Sequence, residues 1–212
     1  MSIRMLAVTD VKVSTDTPMK VIADAARVSH AAGEITDRLK LEQFIMKLIG
    51  WEHWSPFEFV TIQFTLHCDR AIANELVRHR LASFMQESTR YVSYEEDIPF
   101  IFPCRLTDFQ ALQEAVEARD IISKHVDASR DAYDKLLKLG YEPEIARAVL
   151  PQCTATKLKV QMNLRELIHV IRLRGSSGAH PDMIRAISLL RVELADMPEL
   201  DRIIDLGVGD PV

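Results

Sequence analysis

The stretch Arg78-His79-Arg80-Leu81-Ala82-Ser83-Phe84-Met85-Gln86-Glu87-Ser88-Thr89-Arg90-Tyr91 decides how this chain is read. It crowds three arginines, a histidine, hydroxyls, an amide and a carboxylate into fourteen residues. A solubilising surface helix spaces its cations on one face and leaves the other apolar. Here, at about 100° per residue, the spacing predicts a helix on which Ala73, Leu76, Val77 and Phe84 form one apolar stripe, with Arg80 inside it. A guanidinium aimed at an apolar face has to be paired with an anion or hydrogen-bonded to a bound group. Asn74, Glu75, Arg78 and His79 fall on other faces of the same turns. The hydroxyl-rich Glu87-Ser88-Thr89-Arg90 follows, and short side chains with free backbone N–H groups suit a phosphate. Spacing alone leaves two readings open: an arginine-rich helix salt-bridged to a neighbour, or a site for an anionic ligand.

Working outward, Asp69 is placed to cap that helix, because a short carboxylate accepts from the first free amides. Upstream, residues 57–68 alternate through Val60, Ile62, Phe64 and Leu66, which predicts a strand with one buried face. Residues 37–49 carry apolar side chains at helical spacing and Gly50 is expected to stop them. Residues 18–28 read as a helix opened by Pro18, and residues 4–13 as a strand. Downstream, residues 107–139 form the longest periodic segment, one helix or two with a bend. Thr107-x-x-Gln110 offers a capping box there, and Gly140 a stop. Residues 142–149 predict a short helix ended by Pro151, and 154–162 a strand; the last helices are placed at 163–172 and 181–195. No repeat or low-complexity tract interrupts the pattern, so the expectation is one α+β domain over 1–212 with a mixed or antiparallel sheet flanked by helices.

With 212 residues, 48% hydrophobic and 27% charged, the chain can bury a core of useful size. A net charge of −5 argues against non-specific nucleic-acid binding, which needs a basic surface. An acidic chain that still concentrates arginine in one motif points to a small anionic ligand. No apolar run reaches spanning length and Met1-Ser2-Ile3-Arg4 opens no signal-like segment, so no membrane partner and a cytoplasmic location are expected. Cys68, Cys104 and Cys153 form no Cys-x-x-Cys and read as reduced structural thiols. The seven histidines make no ligand spacing, and nearby arginines would repel a cation; no metal is expected.

Other residues could carry chemistry or serve structure. Asn163-Leu164-Arg165-Glu166 has the form of a helix start, with Asn163 as cap and Glu166 at the third helical position. His169 lies one turn beyond Arg165 on the same face. Arg172 and Arg174 suit the last carbonyls of that helix, and Glu142 and Glu144 offer Arg147 an ion pair. Ser88 lacks an evident base to make it a nucleophile.

Arg78-His79-Arg80, seven residues, then Ser88 resembles the RHR-x7-S signature of the flavin-dependent thymidylate synthases. The resemblance begins near Ala26-Arg27-Val28-Ser29 and runs through His53-Trp54-Ser55-Pro56-Phe57-Glu58-Phe59. It resumes at Arg147-Ala148-Val149-Leu150-Pro151 and ends between Asn163 and Arg174.

That resemblance implies reductive methylation of dUMP to dTMP, with methylenetetrahydrofolate as carbon donor and FAD, reduced by NADPH or NADH, as hydride source. It implies that Arg174 is catalytic, gripping the uracil so that a permanent cation raises nucleophilicity at the ring carbon. Substrate contacts are expected from Glu75, Leu76, Val77 and Arg78, from Gln86, Glu87, Ser88, Thr89 and Arg90, and from Arg147. Flavin contacts are expected from Ser55, Glu58, Arg78, His79 and Arg80, and from Gln86, Asn163, Leu164, Arg165 and His169. His53 would face the folate and nicotinamide side, and His180 resembles a further flavin contact. Three residues depart from relatives: Glu75 and Gln86 exchange amide and carboxylate, and Phe59 replaces a histidine. No Gly-x-Gly-x-x-Gly follows a predicted strand, so a Rossmann site is not expected. The resemblance also implies a homotetramer with shared active sites. A phosphate-binding regulator without flavin, or an oligomer using Arg78 and Arg80 as interface ion pairs, are the other classes the same residues could serve.

Overall fold

The computed structural model describes residues 2–29, 33–94, 97–108 and 112–209. Four strands, β1 (Ala7–Val13), β2 (Thr61–Asp69), β3 (Ala82–Gln86) and β4 (Ala155–Asn163), form one sheet in the order β1-β2-β4-β3. Main-chain bonds set their directions. Arg70 N–H donates to Thr154 O (3.1 Å) where β2 ends and β4 begins, and Leu164 N–H donates to Val60 O (2.8 Å) at the opposite ends. Ser14 N–H donates to Thr61 O (3.0 Å), tying the end of β1 to the start of β2. The sheet is antiparallel and the fold is α+β. Along β4, Leu158, Val160 and Met162 are buried while Lys157 and Gln161 are exposed, the two-residue period of a strand with one apolar face.

Nine helices occur among the described residues: α1 (Pro18–Val28), α2 (Arg38–Gly50), α3 (Arg70–Leu76), α4 (Cys104–Asp108), α5 (Gln113–Lys138), α6 (Pro143–Ala146), α7 (Leu164–Arg174), α8 (Pro181–Leu194) and α9 (Pro198–Val208). The chain divides into two compact units, each discontinuous in sequence. The first comprises Met1–Ala7, Leu66–Arg78 and Met85–Lys159. Its core is aromatic: Tyr94, Phe100, Phe102 and Tyr133 pack with Ile98, Val126 and Ala146. Val126 and Tyr133 lie two turns apart on α5, and Gly140, at φ +88°, supplies the left-handed residue after its end. The second unit comprises Val8–Thr65, His79–Phe84 and Val160–Val212. Here α1 packs on α2 and on a 3-10 turn at Ser55–Phe59, and α9 packs on α7 and α8. A Cβ added at Gly207 of α9 would lie 2.7 Å from Ile168 Cδ1 of α7, so a larger residue there would force the Ile168 side chain to shift.

Several elements differ from expectation. The helix capped by Asp69 stops at Leu76, and Ala82–Gln86, read as its continuation, is β3. Strand pairing outweighs the local period here: Glu87 N–H donates to Lys157 O (2.9 Å) and Gln86 Nε2 to Thr156 Oγ1 (3.3 Å). Arg80 is therefore exposed rather than set in an apolar stripe, and His79 is the buried member of the trio. Phe57–Phe59 belong to the 3-10 turn, with β2 starting only at Thr61.

Helix α2 includes Gly50 rather than stopping at it. It ends in a Schellman arrangement, with Glu52 N–H on Ile49 O (3.0 Å) and His53 N–H on Leu48 O (2.9 Å). Glu52, at φ +58°, occupies the left-handed position that glycine usually fills. Among the described residues, Cys104–Asp108 and Gln113–Lys138 are separate helices, and Thr107 sits inside α4 donating to Cys104 O instead of capping α5; Gln110 lies outside the described residues. Helix α9 is an addition, though its pattern was present: Pro198 at the first turn, then Leu200, Ile203, Ile204 and Gly207 buried on one face.

Candidate functional site

In the second unit the site is built on α7. Asn163 caps it, Oδ1 accepting from Glu166 N–H at 2.9 Å. The capping box is not completed, because the Glu166 carboxylate turns instead to His79, Oε1 lying 3.2 Å from Nδ1. Both side chains are buried, at 5% and 8% exposure. Arg174, at the far end of α7, donates Nε–H to His79 Nε2 at 3.0 Å. Since a guanidinium cannot accept, His79 Nε2 must present its lone pair, which leaves the proton on Nδ1 facing the carboxylate. Burial is the main cause lowering the His79 pKa below its ordinary 6.5, with Arg174 and His169 adding to the effect and Glu166 opposing it. His79 is thus neutral at neutral pH. The His169 ring meets it edge-on, centroids 5.8 Å apart.

The same unit holds a cavity of about 770 Å³ whose lining includes Arg27, Phe44, Trp51, His53, Trp54, Ser55, Phe59 and Arg165. Its size suits an organic cofactor or a large part of one. Aromatic rings and two guanidiniums line it. Arg165 Nη1 donates to Glu58 Oε1 at 2.6 Å, Arg27 lies over the Phe44 ring at 5.9 Å, and Arg172 over the Trp54 ring at 5.3 Å. Phe59 is 68% exposed at the cavity.

In the first unit a different group gathers after β3. Gln86 is held by Thr156, Glu87 accepts from Tyr94 O–H at 3.0 Å, and Ser88 Oγ accepts from Arg90 N–H at 3.2 Å. The ion pair that Glu144 was expected to give Arg147 goes to Arg90, whose Nε and Nη2 reach Glu144 Oε2 at 3.2 and 3.0 Å. Arg147 instead donates to the Glu144 main-chain oxygen (3.2 Å) and to buried Thr89 Oγ1 (3.5 Å). Thr89 and Arg147, with Arg70, Asn74 and Gln152, line a cavity of about 300 Å³. Arg70 Nη1 is buried there and meets no hydrogen-bond partner among the described residues.

The remaining candidates are more ordinary. Leu164 is fully buried and its N–H is taken by Val60; Leu76 is buried too, and Val77 closes α3. Arg78, Arg80 and Ser55 are exposed, and Glu75 is half-buried. His180 Nδ1 accepts from Asp182 N–H at 3.2 Å and so caps α8. Burial pushes the Cys68 thiol up to about 12 and raises that of Cys153, as befits inert structural thiols. No metal cluster was visible in the sequence, yet the fold brings one ligand atom each of His79, Glu166 and His169 within 4.8 Å of one another. Both ring nitrogens of His79 are engaged by Glu166 and Arg174, which makes the trio a hydrogen-bonded chain ahead of a ligand set.

The model of the family described as "Thymidylate synthase complementing protein" matches residues 11–197. A flavin-dependent thymidylate synthase of Geobacter sulfurreducens is 32% identical over 204 residues, covering 92% of this chain and 84% of that protein. The chain belongs to the flavin-dependent thymidylate synthase family. Membership makes it a methyltransferase that works with a flavin. A probable flavin-dependent thymidylate synthase of Paramecium bursaria Chlorella virus 1 is 29% identical, covering 97% of this chain and 99% of the relative. Among solved structures, a UMP/dUMP methylase, PolB, from Streptomyces cacaoi bound with 5-Br dUMP superposes with a TM-score of 0.83 at 25% identity, covering 100% of both chains.

Sequence reading of this family member missed the Glu166–His79 pair. Glu166 looked like half of a capping box, and 87 positions separate it from its true partner. The one available signal was a carboxylate on the apolar side of α7, between Leu164 and Leu167, where an acid needs a partner.

Proposed function

We propose that the chain converts dUMP to dTMP by reductive methylation, with methylenetetrahydrofolate as carbon donor and FAD, reduced by NADPH, as hydride source. The observation that carries the reading is Arg174, whose guanidinium is held by a buried neutral histidine. A cation fixed in this way beside a uracil oxygen or ring nitrogen stabilises negative charge on the ring and makes its carbon nucleophilic without a cysteine. The deeply buried Cys68, with its raised pKa, accords with that division of labour.

The residues fit a flavin. Trp51, Trp54 and Phe59 offer flat apolar walls, Ser55 a hydroxyl, and Arg165 and Arg27 positive charge for a pyrophosphate. Glu58 orients Arg165; Asn163, Leu164, His169, Arg78, His79, Arg80 and Gln86 complete the expected cofactor set. The bound flavin would supply the redox chemistry. Ser88, Thr89, Arg90 and Arg147, with Glu75, Leu76, Val77, Arg78, Gln86 and Glu87, form the nucleotide set, the phosphate exchanging with Glu144 for Arg90. Residues 1–212 act as one domain in this reading, in the cytoplasm. The active site is completed in a homotetramer, a state supported by Leu81, Met85 and Tyr91, exposed at 70%, 75% and 79% in and around edge strand β3.

The test is the visible absorption spectrum of the purified protein with FAD, titrated with dUMP and followed by a dTMP assay. A bound-flavin spectrum that responds to dUMP, with product formed, is expected; no flavin binding would overturn the reading and leave a nucleotide-binding protein. The resemblance to a UMP/dUMP methylase motivates a second substrate, UMP, in the same titration. Equal turnover of both nucleotides would widen the assignment.

A further inference from the structure

We propose that Glu166 is a positioning residue for Arg174, acting through His79. The proposal rests on the assignment of Arg174 to the pyrimidine, and it adds a residue that neither the signature nor the expected ligand sets contain. Glu166 Oε1 lies 3.2 Å from His79 Nδ1, and Arg174 Nε lies 3.0 Å from His79 Nε2, so one imidazole links the carboxylate to the guanidinium. The carboxylate can only accept, and the guanidinium can only donate. Between them a single arrangement of the ring satisfies both: proton on Nδ1, lone pair on Nε2. With Nε committed to that lone pair, the plane of the Arg174 guanidinium is set before any ligand arrives. Orientation of this kind is what a charge-stabilising group needs, because a donor placed in advance does not reorganise during the reaction.

Removing the carboxylate's charge without its shape frees the other tautomer. In Glu166→Gln the side-chain amide can present N–H to Nδ1. In that arrangement the ring proton sits on Nε2, where it meets the N–H of Arg174, and the guanidinium turns away. A carboxylate that merely filled space would not exert this control. The other charged or titratable groups facing His79 are Arg174 and His169. Neither can substitute for Glu166, since one is a permanent donor and the other meets the ring edge-on.

The experiment compares wild type, Glu166→Gln, His79→Gln and the double variant. In the flavin-free protein, ¹⁵N–¹H imidazole spectra should show the Nδ1–H tautomer of His79 in wild type and the Nε2–H form or a mixture in Glu166→Gln. In the holoenzyme, Glu166→Gln should lower kcat by about 10- to 100-fold, less than the ~10²- to 10³-fold loss on removing such a donor outright, while flavin content stays near wild type. Its acid limb should move to lower pH, because the carboxylate that favoured His79 protonation is gone. The double variant should be no slower than His79→Gln alone, since Glu166 acts only through the ring. An unchanged tautomer, a wild-type plateau and limb, a lowered Tm with an unmoved limb, or additive losses in the double variant would each overturn the proposal. Absence of turnover in wild type overturns the assigned reaction and this inference with it, whereas an active wild type beside an indifferent Glu166→Gln overturns the inference alone.

Discussion

Arg174 reaches a histidine that is itself pinned by a buried carboxylate, while Arg90 reaches the carboxylate of Glu144 at the surface. Exposure separates the two arrangements: the His79 and Glu166 side chains are 5% and 8% accessible, those of Arg90 and Glu144 51% and 48%. A buried chain of polar groups must stay intact, because each member left without its partner keeps its desolvation cost. An exposed ion pair is screened and nearly neutral in free energy, so a bound phosphate can take the arginine with little loss. One arginine is built to stay still. The other, in the proposed reading, changes partners.

The contrast is broken most severely at Arg174. Arg174→Ala should lower the rate of dTMP formation by about 10²- to 10³-fold, while the oligomeric state, checked by light scattering, stays as in wild type. Substantial remaining turnover would show that the buried chain serves stability alone. Arg90→Ala should act on binding instead. Loss of a charge-assisted contact worth about 1.5–3 kcal/mol corresponds to a dUMP dissociation constant raised by about 10- to 100-fold, read by titration. The melting temperature should hardly move. An unchanged dissociation constant would remove the phosphate from Arg90.

The pH dependence of stability sharpens the comparison from the other side. His79 has its folded pKa lowered beneath 6.5, chiefly by burial. Between that lowered value and 6.5 the unfolded chain binds more protons than the folded one, so stability rises with pH through the window and is lost as pH falls through it. Melting temperatures of wild type should therefore decline on acidification below 6.5 more steeply than those of His79→Gln, which has no proton to gain at that position. Parallel curves for the two proteins would show that His79 is not held neutral by its surroundings.

Much of the fold was legible in residues whose physics is local. Asp69 and Asn163 cap helices because their short side chains reach the third amide, as the structure finds for Ile72 and Glu166. The alternation in β4 and the opening of α1 by Pro18 were equally local. What the sequence hid was set by distant partners. Ala82–Gln86 carries a helical period but becomes a strand because β4 offers it a ladder. The end of α2 depends on Glu52 adopting a positive φ, for which no glycine marked the place. At the site, the signature singled out His79 and the wider family resemblance Arg174, each by itself. Their linkage through Glu166 could not be read, because a capping motif explained Glu166 equally well until the fold turned its carboxylate away.

Glu144 offers the smallest and most discriminating change. Glu144→Gln removes the charge that holds Arg90 while keeping a side chain of the same length. If the exposed pair contributes only the ~0–1 kcal/mol typical of such contacts, the melting temperature should move by no more than a few degrees. Freed from its carboxylate, Arg90 no longer has to exchange one anion for another, and the dUMP dissociation constant should fall or stay level while kcat is unaffected. Both quantities come from one pair of experiments, thermal unfolding and nucleotide titration. A weaker affinity for dUMP would mean that Glu144 orients Arg90 for the phosphate, as Glu166 is inferred to orient Arg174 through His79. The two arginines would then differ in depth of burial but not in kind.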